Sequence, residues 1–212
     1  MIGDLALSVN RSTLDLDLDH ERSLVQVDRL AAQAIEWIKP IGFSLARSDH
    51  DRAAAYRLRY QAVIDHGWLP PSDFPDGLER DHFDDQAVHI LARDQGQVIA
   101  TARLVLPKDH SRLPTEEAFD LIVEPQGQVV DAGRFVVAKS HSNVEHRVLA
   151  ATMARSWLEV RSRGYSIVCA ALASRAMLRV YQRMGFRMRT LAPPRCVWGE
   201  DRSPIVFDVP GS

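Results

Sequence analysis

Apolar residues recur at helical spacing between Glu21 and Trp37, with Leu24, Val27, Leu30, Ala31, Ala34 and Ile35 on one side. Lys39-Pro40 ends that helix. Upstream, the alternation Leu14-Asp15-Leu16-Asp17-Leu18-Asp19 offers little volume, so residues 1–20 are expected to be weakly structured. Ile41 to Ala46 reads as a strand. Ser48-Asp49 can cap a helix over Asp51–Ile64, with Ala55, Leu58, Ala62 and Val63 inward. A long irregular stretch follows from His66 to Gln86, broken by Gly67, Pro70, Pro71, Pro75 and Gly77. Connections of that length inside a compact domain are usually functional or disordered, and this one is rich in Asp and aromatics. Ala87–Arg93 and Val98–Leu106 form a hairpin about the turn Asp94-Gln95-Gly96-Gln97. Pro114 opens a short helix over Thr115–Phe119. Val144–Arg163 is a helix with Val148, Leu149, Met153, Trp157 and Val160 inward, stopped by Gly164. Ser166–Ala171 is a buried strand, Ser174–Met184 a helix closed by Gly185, and Phe186–Thr190 and Ile205–Val209 are the last strands.

One strand breaks its own pattern. Val129–Val137 is β-branched and aromatic at both ends, but Asp131, Gly133 and Arg134 interrupt it. Asp131 and Arg134 lie on opposite faces of a regular strand; a bulge at Gly133 brings them to one face.

Composition sets the bounds. The 212 residues suit one domain with an extension, divided as an N-terminal extension with one helix (1–40) and an α/β domain (41–212). Two cysteines, Cys169 and Cys196, make no disulfide framework. No apolar run approaches the ~18 residues of a membrane span, and the start lacks the plan of a signal peptide, so a cytoplasmic protein is the expectation. Net charge is −2, but it is unevenly spread. Residues 145–195 hold ten arginines against two acids, whereas the remainder has 16 bases and 26 acids. That basic third suits a polyanionic partner, or is neutralised by the acidic part of the same molecule. His and Cys show no metal-ligand spacing, there is no phosphate-cradling P-loop or GxSxG nucleophile turn, and no nucleic-acid module is visible.

Several short motifs occur in order: Leu58-Arg59-Tyr60-Gln61-Ala62-Val63 followed by Gly67-Trp68; Glu79-Arg80-Asp81-His82-Phe83-Asp84; Ala100-Thr101-Ala102-Arg103-Leu104; and Asp131-Ala132-Gly133-Arg134-Phe135-Val136-Val137. In this order they resemble the acyl-homoserine-lactone synthases and their relatives, the N-acyl amino acid synthases. Tyr181 through Gly185-Phe186 extends the resemblance to the GNAT acyltransferase fold generally. The match spans about residues 55–140 for the motifs and runs to about 190 for the fold. Val63 stands where the lactone synthases carry phenylalanine, and Asp131 where they carry glutamate.

The resemblance implies a GNAT-like α/β fold: a mixed central sheet with splayed strands, flanked by helices. It implies an N-acyltransferase that moves a fatty acyl group from acyl carrier protein to the amino group of an amino acid or related amine. An acyl-CoA-dependent N-acetyltransferase is the alternative enzyme, and a non-catalytic acyl-ligand or carrier-binding domain the alternative outside enzymes. No tightly bound cofactor or metal is implied; acyl-phosphopantetheine or acyl-CoA is the co-substrate. Asp131 is the candidate base, directly or through water, or else the ion-pair partner of Arg103 or Arg134. Arg134 shares its strand, and the N–H of Phe135 or Val136 is a candidate oxyanion donor. Tyr181 is either the acid to the leaving thiol or a core residue. Arg59, Val63, Trp68, Asp81, Phe83, Asp84 and Arg103 form the candidate substrate site, in which Arg59 and Arg103 complete a charge cage, anchor an acceptor carboxylate by bidentate bonds, or are plain surface arginines. Asp81 and Asp84 bind the acceptor's ammonium, hold Arg59 and Arg103, or make local turns. Trp68 and Phe83 cover a substrate or simply pack. The turn Ala138–Val144 has no glycine for a pyrophosphate, which favours the carrier protein over CoA. Arg175, Arg179 and Arg183, at i, i+4, i+8, form one stripe, and with Arg147 and Arg155 they are the candidate docking surface for the acidic carrier.

Overall fold

The computed structural model describes residues 11–108, 111–165, 167–174, 177–179 and 187–208. In chain order these are α1 (Arg11–Glu36), β1 (Gly42–Leu45), α2 (Asp49–Asp65), β2 (Ala87–Asp94), β3 (Gln97–Val105), α3 (Pro114–Phe119), β4 (Val129–Val137), α4 (Glu145–Ser162), β5 (Ile167–Ala173), β6 (Arg187–Thr190), β7 (Arg195–Val197) and β8 (Glu200–Asp208). The strands run β1-β2-β3-β4-β5-β8-β6 across one sheet, with β7 paired to β8. Among the described residues, β4 and β5 pair in parallel, and the other pairs are antiparallel.

Helices α1 and α4 cover one face. Leu24 and Ala31 of α1 and Ala154, Trp157 and Val160 of α4 close on Ile90, Ala102, Leu104, Val130 and Ala132. Asp28 fastens the two helices, accepting from Trp157 Nε1 at 2.7 Å. Helix α1 begins at Arg11, well before the expected Glu21. Nothing from 11 to 20 is Gly or Pro, so a helix nucleated downstream can propagate back through the Leu-Asp repeat. The other face carries α2, the segment 66–86 and α3. There Phe83, Leu113 and Val123 pack on Val105, Val129, Cys169 and Val206.

Two details position the site. Helix α2 is closed by a left-handed Gly67 (φ +65), with Gly67 N–H donating to Ile64 and Trp68 N–H to Val63. This Schellman-type stop turns the chain so that Trp68 folds back. The second detail is the C-terminal hairpin. The strand expected from Ile205 starts at Glu200 and pairs with β7 through the turn Trp198-Gly199, where both residues have positive φ (53 and 73). Glu200-Asp201-Arg202-Ser203-Pro204 lacks apolar alternation, and Trp is not among the residues that favour such a turn, so the sequence pattern did not mark it.

Candidate active site

The buried stripe of α2 is Ala55, Tyr56, Arg59 and Val63. An arginine thus occupies a core position and is only 1% exposed. Its Nη1 and Nη2 hold both carboxylate oxygens of Asp84, at 2.7 and 3.0 Å, and its Nε donates to Glu79. Arg103, opposite His89 on β2 and Gly133 on β4, donates to Asp81 at 2.6 Å and lies 3.2 Å from Asp84. Arg134 donates to Glu79 at 3.0 Å and to Asp81 at 3.2 Å. Three arginines and three carboxylates therefore form one closed lattice. Asp84 also accepts the Asp81 N–H at 2.8 Å, and Asp81 accepts the Phe83 N–H at 2.9 Å, so the irregular segment is folded by the acids it carries. Only Asp81 and Arg134 open to solvent, at 28% and 17%.

Burial penalises every charge in this lattice, and the partners decide the outcome. Desolvation works to raise the Asp84 pKa, but hydrogen bonds and charge from Arg59, then Arg103, hold it well below the usual carboxylate range. Burial likewise works against the Arg59 cation, and Asp84 and Glu79 more than offset it. His89, beneath Asp84, is pushed down by burial and stays neutral; its Nε2 lies 3.3 Å from the Asp84 carbonyl and 3.5 Å from the Tyr56 hydroxyl.

The bulge in β4 falls one residue later than expected. Gly133 stays in register with Arg103, and Arg134 and Phe135 together oppose Ala102. Arg134 takes the left-handed conformation itself (φ 54), so glycine is not what permits the bulge. Glu79, Asp81 and the Trp198 ring, 4.3 Å from its guanidinium, hold it there. Beyond the bulge Phe135 packs toward α4.

Asp131 makes neither of the ion pairs its position invited. Its Oδ2 accepts from both the backbone N–H (2.7 Å) and the hydroxyl of Thr115, capping the first turn of α3 from the sheet. Glu116 braces the same helix, accepting from Leu113 N–H at 2.7 Å and Val123 N–H at 2.8 Å. Asp131 is 2% exposed. Burial pushes its pKa up to about 6, with the Thr115 bonds offsetting part of that push. Its strand neighbour Cys169 is buried too, and burial raises its thiol above the ordinary range.

The β4–β5 ladder ends at Asp131–Cys169, while β4 runs on to Val137. The two strands part just before the bulge, so the β5-facing edge of Ala132–Val137, including Phe135 and Val136, has no strand partner among the described residues. Backbone N–H and C=O groups along such an edge are available to an extended ligand.

The structure thus joins Arg59, Asp81, Asp84, Arg103 and Arg134. Val63 is buried below them on α2. Phe83 is a core aromatic, and the Arg103 guanidinium stands 5.8 Å from its ring. Trp68 joins the C-terminal hairpin, with Nε1 donating to Glu200 at 2.9 Å and its ring 6.1 Å from Trp198. Arg147 and Arg179 are exposed, whereas Arg155 is tied to Glu159 at 2.8 Å and so is less free to dock a carrier. Tyr181, Arg175 and Arg183 lie outside the described residues. Glu79, Tyr56, His89, Thr115 and Trp198 were not singled out as site residues by the sequence. Glu79 had a signal, standing two residues before Asp81. So did His89, a lone polar ring in an apolar strand. Among the described residues no group of His, Cys, Asp and Glu can hold a metal ion, and no helix is long and apolar enough to cross a membrane.

The model of the N-acyl amino acid synthase FeeM matches residues 54–197, from the start of the arginine-bearing stripe of α2 to the end of β7. The chain belongs to the N-acyl amino acid synthase family. It is therefore an acyltransferase that joins an acyl group to the amino group of an acceptor. TofI, solved in a ternary complex with an inhibitor and MTA, is 24% identical with a TM-score of 0.63, over 79% of this chain and 91% of that one. BjaI, a CoA-dependent acyl-homoserine lactone synthase, is 21% identical with a TM-score of 0.61, over 80% and 82%. An N-acetyltransferase described as putative, from Lactobacillus plantarum, is 18% identical with a TM-score of 0.55, over 80% and 98%. These likenesses establish the GNAT-like fold. No curated protein matches the sequence.

Proposed function

We propose that this synthase takes its fatty acyl group from acyl carrier protein and delivers it to the amino group of an amino acid at the mouth of the Arg–carboxylate lattice. The observation that carries the reading is the parting of β4 from β5 at Asp131, directly beside that lattice. The open edge of Ala132–Val137 is a place for the amides of a pantetheine arm. The thioester carbonyl then lies along the bulge, where the N–H of Phe135 or Val136 stabilises the oxyanion; removing such a donor typically costs on the order of 100-fold or more in rate.

Asp131 takes the proton from the attacking ammonium through a water at Oδ1, since Oδ2 is committed to Thr115. A carboxylate with a pKa near 6 is suited to that task at neutral pH. The amine nitrogen forms the new bond to the acyl carbon, the C–S bond breaks, and the second amine proton passes to the departing thiolate, with Tyr181 as the candidate relay. Arg59, Arg103 and Asp84 keep the lattice rigid, while Arg134 and Asp81 meet the acceptor. The glycine-free turn over 138–144 favours a donor with a single phosphate.

The test is thiol release from matched acyl-carrier-protein and acyl-CoA thioesters with an amino-acid panel as acceptors, and mass spectrometry of the products. Faster release from the carrier protein with formation of an N-acyl amino acid is expected. Release from acyl-CoA alone contradicts the donor, and the absence of any N-acyl product contradicts the reading as a whole.

A further inference from the structure

One cation beside the site is not matched as Arg59, Arg103 and Arg134 are. Arg202, on β8, is largely buried, with its side chain 13% exposed. Its Nε and Nη2 are both closed off from solvent and have no hydrogen-bond partner. Those two nitrogens form one edge of the guanidinium, the edge that receives a carboxylate side-on through two parallel bonds. Glu200 stands 3.3 Å from Nη2, but off the line of an N–H, and its other oxygen is engaged by Trp68. The residue opposite Arg202 across the hairpin is Arg195, a like charge where an opposite one is stabilising. The guanidinium lies 4.8 Å from the Trp68 ring, Trp68 is 6.1 Å from Trp198, and Trp198 covers Arg134 at 4.3 Å. A chain of neighbouring rings and cations therefore connects the mouth of the lattice to Arg202. Trp198 holds its place with positive φ, as does Arg134 beneath it. Strained backbone of this kind persists where surrounding contacts impose it, and it gathers at functional sites. Trp198, Glu200 and Arg202 all lie just past the residues matched by the family model.

We propose that Arg202 is the anchor for the carboxylate of the amino-acid acceptor, with Trp68 and Trp198 as the wall beside it. The inference rests on N-acyl transfer to an amino acid. The carboxylate displaces Glu200 to open the closed Nε–Nη2 edge, and the amine is directed past Trp198 toward Arg134 and Asp81. The subsite favours acceptors that carry a carboxylate over plain amines.

The experiment compares the amino acid that supports the fastest thiol release with the amine left after removing only its carboxylate, in wild type, Arg202→Gln and Arg202→Lys. Arg202→Gln is expected to raise KM for the amino acid by about 10- to 100-fold, the size of a lost charge-assisted pair. KM for the donor thioester and for the decarboxylated amine stay within about twofold. Arg202→Lys, which keeps the charge but loses the fork, falls between and serves if the glutamine variant does not fold. Equal losses on both acceptors, or no loss on the amino acid, overturn the proposal. If wild type turns over no amino acid, the transfer reading fails separately. The subsite is then read by titrating the tryptophan fluorescence of wild type and Arg202→Gln with the same compounds. Carboxylate-dependent binding lost in the variant supports it, and no such binding overturns it.

Discussion

Asp84 and Asp131 are two aspartates on the same face of one sheet, each 2% exposed, and burial works to raise the pKa of both, yet they end on opposite sides of the ordinary carboxylate value. Asp84 has two arginines on its oxygens and is held ionised far into acid. Asp131 has only the donors of Thr115, and its pKa is pushed up to about 6. Depth of burial is therefore not what sets these two carboxylates apart. The partners separate them, and the fold supplies arginines to one and an uncharged helix start to the other. The first arrangement fixes geometry. The second leaves a group that exchanges a proton near neutrality.

The comparison can be broken most severely at Arg59. Replacing it with Gln leaves Asp84 and Glu79 buried without their main cation, and uncompensated buried charge typically costs about 3–5 kcal/mol. The urea midpoint at pH 7 should fall accordingly, and an unchanged midpoint would mean that the lattice carries little of the fold.

Asp131→Asn sharpens the contrast with the opposite sign. The Asp131 pKa is raised in the fold from 3.8 to about 6, so the native state binds the extra proton. Stability from this group is greatest at low pH and declines as pH rises from about 4 to 6, by roughly 3 kcal/mol for a shift of this size. Asp84 runs the other way: its contribution is present above 3.8 and is lost as pH falls toward its depressed folded value. The asparagine variant should lose the decline between pH 4 and 6 and keep the acid unfolding below 4. Urea titrations across that range measure both.

The smallest effect is expected on the surface. Charge reversal of Arg147 and Arg179, both exposed, should weaken carrier-protein binding several-fold at low salt and little at high salt, because a Debye length of about 8 Å screens such charges at physiological ionic strength. Equal affinity at low salt would remove these residues from the docking surface.

Much of this was legible in the chain. The order of elements from β1 to β5 follows from apolar periodicity and from Gly and Pro at the breaks, and the motif residues Arg59, Asp81, Asp84, Arg103 and Arg134 meet in the structure. Other features have no local signature. Arg59 is at once part of an amphipathic stripe and the centre of an ion lattice, which only the returning segment 79–84 reveals. Thr115 reaches Asp131 across 16 residues. The bulge lies on Arg134 and not on Gly133, because tertiary contacts impose a backbone conformation that residue type does not favour. The β7–β8 hairpin has no sequence signature because its strands are polar and a tryptophan sits in its turn.

The central claim is that Asp131, unlike Asp84, accepts the acceptor's proton. The most direct measurement is the pH dependence of kcat/KM for acyl transfer in wild type and Asp131→Asn. Wild type should show a rising limb with a midpoint near pH 6, and the variant should be slower by about 100-fold or more with that limb absent. A variant that keeps the wild-type rate, or keeps the limb near pH 6, would contradict the account.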